Sequence, residues 1–326
     1  MPLPSTPVRV LIALAALLGL ASCAALVGNR ADDREAVWAQ EFPPVGRFVE
    51  VEGHRIHLIV TGRARGTAPD IVLIHGANGN LRDFTFDLVD RLAGDYRVIA
   101  VDRPGLGHSD SWGEADSDPG LQARVLRAAV TEVGVNRPIL LGHSYGGAVA
   151  TAWALQDQRH LAAMVLVAPA VEPWTGTLSP WYRLNATPLG RPARSLVAAF
   201  APETALDSAL AGVFAPDPLP EGYTRHLGTE LSLRRASQAN NNRQVNALLH
   251  HVTEMQPHYP TLTLPIEVLH GDADTTVGLE IHSRRFAAEV PAAHLTVVEG
   301  AGHMLHHAHA EEVVQAIRTA HRRAGH

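Results

Sequence analysis

The stretch Pro138-Ile139-Leu140-Leu141-Gly142-His143-Ser144-Tyr145-Gly146-Gly147 restricts the folds open to this chain more than any other. A short apolar run ends in Gly-x-Ser-x-Gly and passes directly into Ala148-Val149-Ala150-Thr151-Ala152-Trp153-Ala154-Leu155, which reads as a helix. Strand, sharp turn and helix in that order leave one residue, Ser144, strained at the turn and exposed at the strand tip. Bulk two residues to either side would collide there, and Gly142 and Gly146 remove it. The N–H of Tyr145 then lies at the helix start, where it can face developing negative charge.

The flanking sequence sets this turn within a longer alternation. Residues 47–51 and 54–60, joined through Glu52-Gly53, largely alternate apolar with polar, the period of a half-buried hairpin. Beyond them the pattern changes to apolar strands at 71–74, 96–101 and 164–167, with helices at about 81–92 and 121–133. Continuous apolar strands separated by helices predict a parallel sheet covered on both faces. From 171 to about 264 no comparable strand appears. Pro-punctuated helical pieces stand there instead, at 193–200, 203–213 and 244–255. The alternation resumes with a strand at 266–269, a helix near 279–290, a strand at 294–298 and a last helix at 311–322. An insertion at the carboxyl edge of such a sheet sits over its site. The expected organisation is therefore a core of residues 45–170 and 265–326 and a helical cap of residues 171–264.

With these features in hand, the chain from about Arg47 onward resembles the α/β-hydrolase family. The resemblance implies an α/β fold, a mostly parallel sheet with helices on both faces and a helical cap inserted after strand 6. It also implies roles for particular residues, in the order nucleophile, acid, histidine, with Ser144 first. After the strand beyond the cap comes Gly271-Asp272-Ala273-Asp274-Thr275-Thr276-Val277. The family's Gly-x-x-Asp-x-x-Val pattern puts the acid at Asp274, which would hold the histidine tautomer and stabilise the imidazolium. Asp272 reads as a turn residue bonded to local backbone N–H groups, and Glu172 is the first alternative carboxylate. Glu299-Gly300-Ala301-Gly302-His303 matches the family's Gly-x-Gly-His loop and makes His303 the general base. His75-Gly76-Ala77 looks like the His-Gly-x segment, so the Ala77 N–H would pair with that of Tyr145 as oxyanion donors, with His75 bracing the loop. Asp102-Arg103-Pro104-Gly105-Leu106-Gly107-His108-Ser109 resembles a further family landmark and reads as a scaffold loop at the rim, with Gly105 and Gly107 needed for its path.

Composition narrows the chemistry. None of the 27 basic residues is Lys, which excludes Schiff-base, pyridoxal and Ser–Lys mechanisms. A formal net charge of −6 argues against a nucleic-acid partner. With 19 His in the chain, any single one is presumed ordinary. His306, His307 and His309 read as solvated helix-entry residues, and no metal or cofactor is expected.

The start of the chain reads as an address. Arg9 precedes an apolar stretch at 10–20 that ends in Leu20-Ala21-Ser22-Cys23, and Cys23 is the only cysteine. This resembles the bacterial lipobox. It implies a signal peptide over 1–22, acylation of Cys23 and a polar tether or short surface helix within 23–44. The alternative is an uncleaved anchor over 10–27, which just reaches spanning length. Either way the chain is exported and membrane-tethered, on the periplasmic side.

A serine nucleophile with a histidine and an acid performs acyl transfer. Hydrolysis of carboxylic esters through an acyl-enzyme is the leading expectation, with a small-molecule ester as partner. Cofactor-free haloperoxidase or perhydrolase activity uses the same residues, as does C–C, amide or lactone hydrolysis. A non-catalytic binding protein would normally have lost one of them. Within the cap, Trp174, Trp181, Tyr182, Phe200, Phe214 and Tyr223 are a large share of the chain's aromatics. Trp174, Trp181 and Tyr182 enter the cap beside Ser144 and are expected to wall an apolar pocket, with the cap's charged residues on its outer face.

Overall fold

A computed structural model describes residues 6–325, and the side chain of Arg9 lies outside the described residues. The chain opens with one helix, α1 (Thr6–Glu41), unbroken through Cys23. Its first part is long and apolar enough to cross a membrane, with Leu11, Leu17, Leu18, Leu20 and Leu26 exposed. After Gly28 its character changes. Ala31 is buried against Ala198 and Ala199, while Trp38 and Phe42 are buried against Leu231. Arg30 and Arg34 donate to the carbonyls of Ala199, Ala198 and Ala201. Residues 29–44 are thus mostly a docked helix rather than a polar tether, because their arginines satisfy the carbonyl end of another helix.

The sheet begins with the expected hairpin, β1 (Arg47–Val51) against β2 (His54–Gly62), with Val51 opposite His54. Glu52 and Gly53 both have positive φ, 54° and 79°, the backbone of a two-residue turn that follows strand twist. β3 (Asp70–Ile74), β4 (Arg97–Val101), β5 (Ile139–His143), β6 (Ala163–Val167), β7 (Ile266–Gly271) and β8 (Ala293–Val298) complete it. The order is β1-β2-β4-β3-β5-β6-β7-β8, antiparallel where β2 pairs and parallel elsewhere among the described residues. Every residue of β4, β5 and β6 is buried, which is why their sequences do not alternate. Successive residues of β3 feed opposite cores. Val72 and Ile74 pack with Leu126 and Val149, whereas Ile71 and Leu73 pack with Phe84, Leu88 and Ile317.

The helices follow the predicted pattern with local differences. Residues 81–92 form two short helices, α2 (Arg82–Thr85) and α3 (Leu88–Leu92), because Asp87 leaves helical geometry at φ −151°. α4 (Pro119–Glu132) starts on an Asp118 side chain that accepts from Gly120 N–H. α5 (Tyr145–Asp157) follows Ser144 directly. Between β6 and β7 lie α6 (Pro180–Asn185), α7 (Gly190–Phe200), α8 (Glu203–Phe214), α9 (Tyr223–Leu227), α10 (Glu230–Leu233) and α11 (Arg235–Met255). α11 begins well before the apolar pattern at 244, since its first half buries the polar Asn241, Asn242 and Gln244. α12 (Ser283–Glu289), α13 (Leu305–Ala308) and α14 (Ala310–Arg323) finish the chain.

Backbone packs very closely at the start of α5. A Cβ on Gly146 would stand 2.1 Å from the Ile74 carbonyl oxygen, and one on Gly142 would stand 2.4 Å from that of Gly146. Gly146→Ala should therefore cost on the order of 3 kcal/mol in urea unfolding. Gly94→Ala, at an exposed site with nothing within 4 Å, should stay within about 0.5 kcal/mol of wild type.

Candidate active site

Ser144 has φ 53° and ψ −120°, a conformation that L residues rarely adopt. Its N–H donates to the Val167 carbonyl (3.0 Å), and its own carbonyl accepts from Gly147 and Ala170 (2.9 and 3.1 Å). These bonds over-determine the strain and leave the side chain facing a cavity of about 530 Å³. Ser144 and His303 line this cavity together with Ala77, Trp181 and Tyr182. Val197 of α7 and Leu206, Leu210 and Val213 of α8 form an apolar wall. A second cavity of about 460 Å³ shares Ser144, Ala77 and Tyr182 and adds Tyr145, Trp174, Leu248 and Ile281. Two largely apolar spaces therefore meet at one serine hydroxyl.

His303 comes from the loop after β8, and its Nδ1 lies 2.7 Å from Asp274 Oδ2. A carboxylate only accepts, so Nδ1 carries the hydrogen and Nε2 keeps its lone pair. Asp274 Oδ1 accepts from the N–H groups of Thr276 and Val277 (2.7 and 2.9 Å). His270 reaches the same carboxylate: its Nε2 lies 3.1 Å from Oδ2 and 2.8 Å from the Val277 carbonyl. Neither oxygen can donate, so His270 is protonated on Nε2 and its Nδ1 accepts from Ser283 Oγ at 2.6 Å. Burial alone would raise the Asp274 carboxyl. The bonds from His270 and His303 outweigh it and hold the group far below the usual carboxylate range. Asp272 bonds a backbone N–H as expected, but that of Gly300 (2.7 Å), so it ties the β7 turn to the loop carrying His303.

The site is thus a strained serine and a carboxylate-held histidine on one cavity, with Ala77 and the helix-starting Tyr145 beside them. Residues 71–316 match the family model described as "Alpha/beta hydrolase family", well over half of the chain. The chain belongs to the alpha/beta hydrolase family. Among curated relatives it is 34% identical over 128 residues to a 2-hydroxy-6-oxononadienedioate/2-hydroxy-6-oxononatrienedioate hydrolase of Cupriavidus pinatubonensis, covering 37% of this chain and 43% of that one. It is 31% identical over 162 residues to a dihydrolipoyllysine-residue acetyltransferase component of the acetoin cleaving system of Cupriavidus necator, covering 47% and 42%. The chain therefore spans less than half the length of these two relatives. In fold it is similar to a membrane phospholipase A described as a bacterial virulence factor, with TM-score 0.62, 22% identity and coverage of 97% of this chain and 98% of that one.

Several polar residues carry more of the site than the sequence suggests. Arg103, read as part of a rim loop, is fully buried. Its Nε and Nη2 donate to the carbonyls of His75 and Gly76 (both 2.9 Å), and Nη1 donates to Gln122 and Gln244 (3.0 and 2.8 Å). The guanidinium lies 4.3 Å from the centre of the Tyr145 ring. In a trans peptide the N–H points opposite to the C=O, so holding the Gly76 carbonyl aims the Ala77 N–H away from Arg103. Burial pushes Arg103 down only to about 10, so it remains a cation at neutral pH. His75 braces the same loop, donating from Nδ1 to Gly76 and accepting the Arg103 N–H on Nε2.

His306 and His307 are not solvated. Both side chains are buried and, with Tyr223, bond Asp83 at 2.7–3.1 Å. His309 instead bonds Asp217. Asp83, His143 and His306 offer ligand atoms within 4.8 Å of one another. However, Asp83 already accepts from three side chains, and Nδ1 of His143, His306 and His307 has no partner among the described residues. A metal-bound imidazole normally anchors its other nitrogen, so this donor set fits a hydrogen-bond network. Burial, then the nearby His306 and His303, hold His143 well below the usual histidine range and keep it neutral beside His303.

The aromatics divide. Trp174, Trp181, Tyr182 and Tyr223 line the cavities, and Phe214 packs behind Tyr223. Phe200 does not: it is exposed on the far side of α7, under the Arg30 guanidinium. The cap exposes charged residues as expected, Arg183, Arg191, Asp207 and Glu221 among them, but also Leu184, Leu189 and Leu196.

Glu172 is fully buried, and neither carboxylate oxygen has a hydrogen-bond partner among the described residues, although Arg285 stands 3.4 Å away. Burial, then Glu289, push it up to about 8. The folded chain therefore holds a proton that the unfolded chain releases above its ordinary value of 4.5. Stability contributed by this group is complete below that value and declines as pH rises towards 8. Urea unfolding from pH 5 to 8 should show this decline in wild type and a flatter profile in Glu172→Gln.

Proposed function

We propose that this chain is a serine hydrolase of carboxylic esters with small or medium apolar groups, held at a membrane by its N-terminal helix. The observation that carries the reading is the strained Ser144 on a cavity shared with a His303 whose tautomer Asp274 holds. Ser144 Oγ attacks the ester carbonyl while His303 Nε2 takes its proton. The negative oxygen is met by the N–H groups of Ala77 and Tyr145, aimed by the bonds that Arg103 makes to the loop carbonyls. His303 returns the proton to the departing alcohol and leaves an acyl group on Ser144. Water, deprotonated by the same imidazole, then releases the acid. Two cavities meeting at Ser144 suit an ester with an apolar group on each side, one beside Trp181 and the other beside Trp174.

Steady-state kinetics on soluble activated esters test the roles. Ser144→Ala and His303→Ala should each lose about 10⁴-fold or more in kcat, and the double variant should be little worse, since such groups act as a unit. Asp274→Asn should lose about 10⁴-fold and Asp272→Asn far less. Arg103→Met should lose about 10²-fold in kcat with little change in KM, as for a lost oxyanion donor. Full activity in Ser144→Ala would refute the proposal.

For the membrane attachment, acylation of Cys23 after cleavage is one reading. A specific observation favours the other: α1 passes through Cys23 without a break and docks on the cap only beyond it. The mass of the membrane-bound chain separates them. A lipidated cysteine at the mature N-terminus, lost in Cys23→Ala, supports the lipoprotein. Full precursor mass in both wild type and Cys23→Ala supports the uncleaved anchor.

A further inference from the structure

A groove of about 840 Å³ lies where α1 leaves its apolar stretch. Cys23 and Val27 of α1 form one side, Arg191, Arg194 and Leu196 of α7 the other, and Arg235 closes one end. Its charge is unbalanced. Arg235 is bonded to Glu35, the only carboxylate lining the groove among the described residues, and to Asp32. Arg191 and Arg194 form no ion pair among the described residues, and Arg194 finds only the amide oxygen of Asn185 at 2.9 Å. Burial and then the neighbouring Arg191 lower the Arg194 guanidinium. Two arginines one helical turn apart thus repel each other without a counter-charge. The exposed Leu196 lines the groove with them.

We infer that this groove binds the headgroup of an anionic phospholipid, with the phosphate between Arg191 and Arg194 and an acyl chain along α1. Arginine forks match phosphate oxygens. A basic recess at the last turns of a membrane-spanning helix lies at headgroup depth. The recess reaches Cys23 and Ala24 within the apolar stretch of α1, so the occupant is a membrane lipid rather than a free anion. α7 also supplies Val197 to the Ser144 cavity, so a lipid in the groove would hold the helix that walls the candidate active site. The inference rests on α1 lying in a membrane and not on the proposed ester chemistry.

The test uses the full-length Ser144→Ala chain in a neutral detergent, so that added lipid cannot be hydrolysed by the proposed route. It is titrated with short-chain phosphatidylglycerol, with phosphatidylcholine of the same chains and with inorganic phosphate, reading thermal unfolding and retained lipid by native mass spectrometry. Phosphatidylglycerol should bind about tenfold or more tightly than phosphatidylcholine, and phosphate alone should produce no shift. Arg191→Gln/Arg194→Gln should abolish the preference, Arg191→Gln alone should reduce it, and Arg47→Gln should leave it intact. In the Ser144-containing chain, hydrolysis of a soluble ester in detergent should survive Arg191→Gln. Equal affinity for the two lipids, a preference that survives the double change, or an equal effect of free phosphate would each overturn the inference.

Discussion

The close approach of α5 to β3 and β5 is the constraint on which the rest depends. Backbone lies 2.1–2.4 Å from where side chains would sit at Gly142 and Gly146, and that contact turns the chain sharply enough to strain Ser144. Bonds to Val167 and Ala170 lock the turn to the next strand. The flanking loops are positioned by the same contact, since a Cβ on Gly76 would stand 3.1 Å from that of Ser144. The serine, the loop carrying Ala77 and the start of α5 are therefore one packed unit.

Around that unit several buried charges are satisfied by hydrogen bonds, whereas neither carboxylate oxygen of Glu172 has such a partner among the described residues. Asp274 takes bonds from two imidazoles and two backbone N–H groups, Asp83 from two imidazoles and a phenol, and Arg103 gives its hydrogens to carbonyls and amides. Pairing Arg103 with neutral partners has a consequence. Its charge is not cancelled by a direct carboxylate contact and lies behind the loop where the proposed oxyanion would form, in surroundings that screen it less than water does. Gln244 links this group to α11, so the cap and the loop share a polar hinge point.

The N-terminal helix joins the proposed membrane attachment to the cap. Its arginines satisfy the carbonyl end of α7, and α7 faces α1 on one side and the Ser144 cavity on another. Of the cap's exposed apolar residues, Leu196 and Phe200 lie on α7, the helix that packs against α1.

The sequence by itself determined what depends on neighbours along the chain. Apolar runs and their alternation defined the sheet and its covering helices, and glycine spacing defined the turn at Ser144. Short motifs singled out Asp274, His303 and Ala77, which the fold gathers around Ser144. Tertiary structure decided what depends on partners far apart in sequence. A buried Arg103, the Asp83 network with His306 and His307, and the docking of residues 29–42 look like ordinary surface polarity in the sequence. Their partners lie about 20 to 220 positions away: Gln122 and Gln244 for Arg103, His306 for Asp83, Ala199 for Arg30. A charged side chain is buried only when the fold supplies its hydrogen bonds, and no local pattern records that supply.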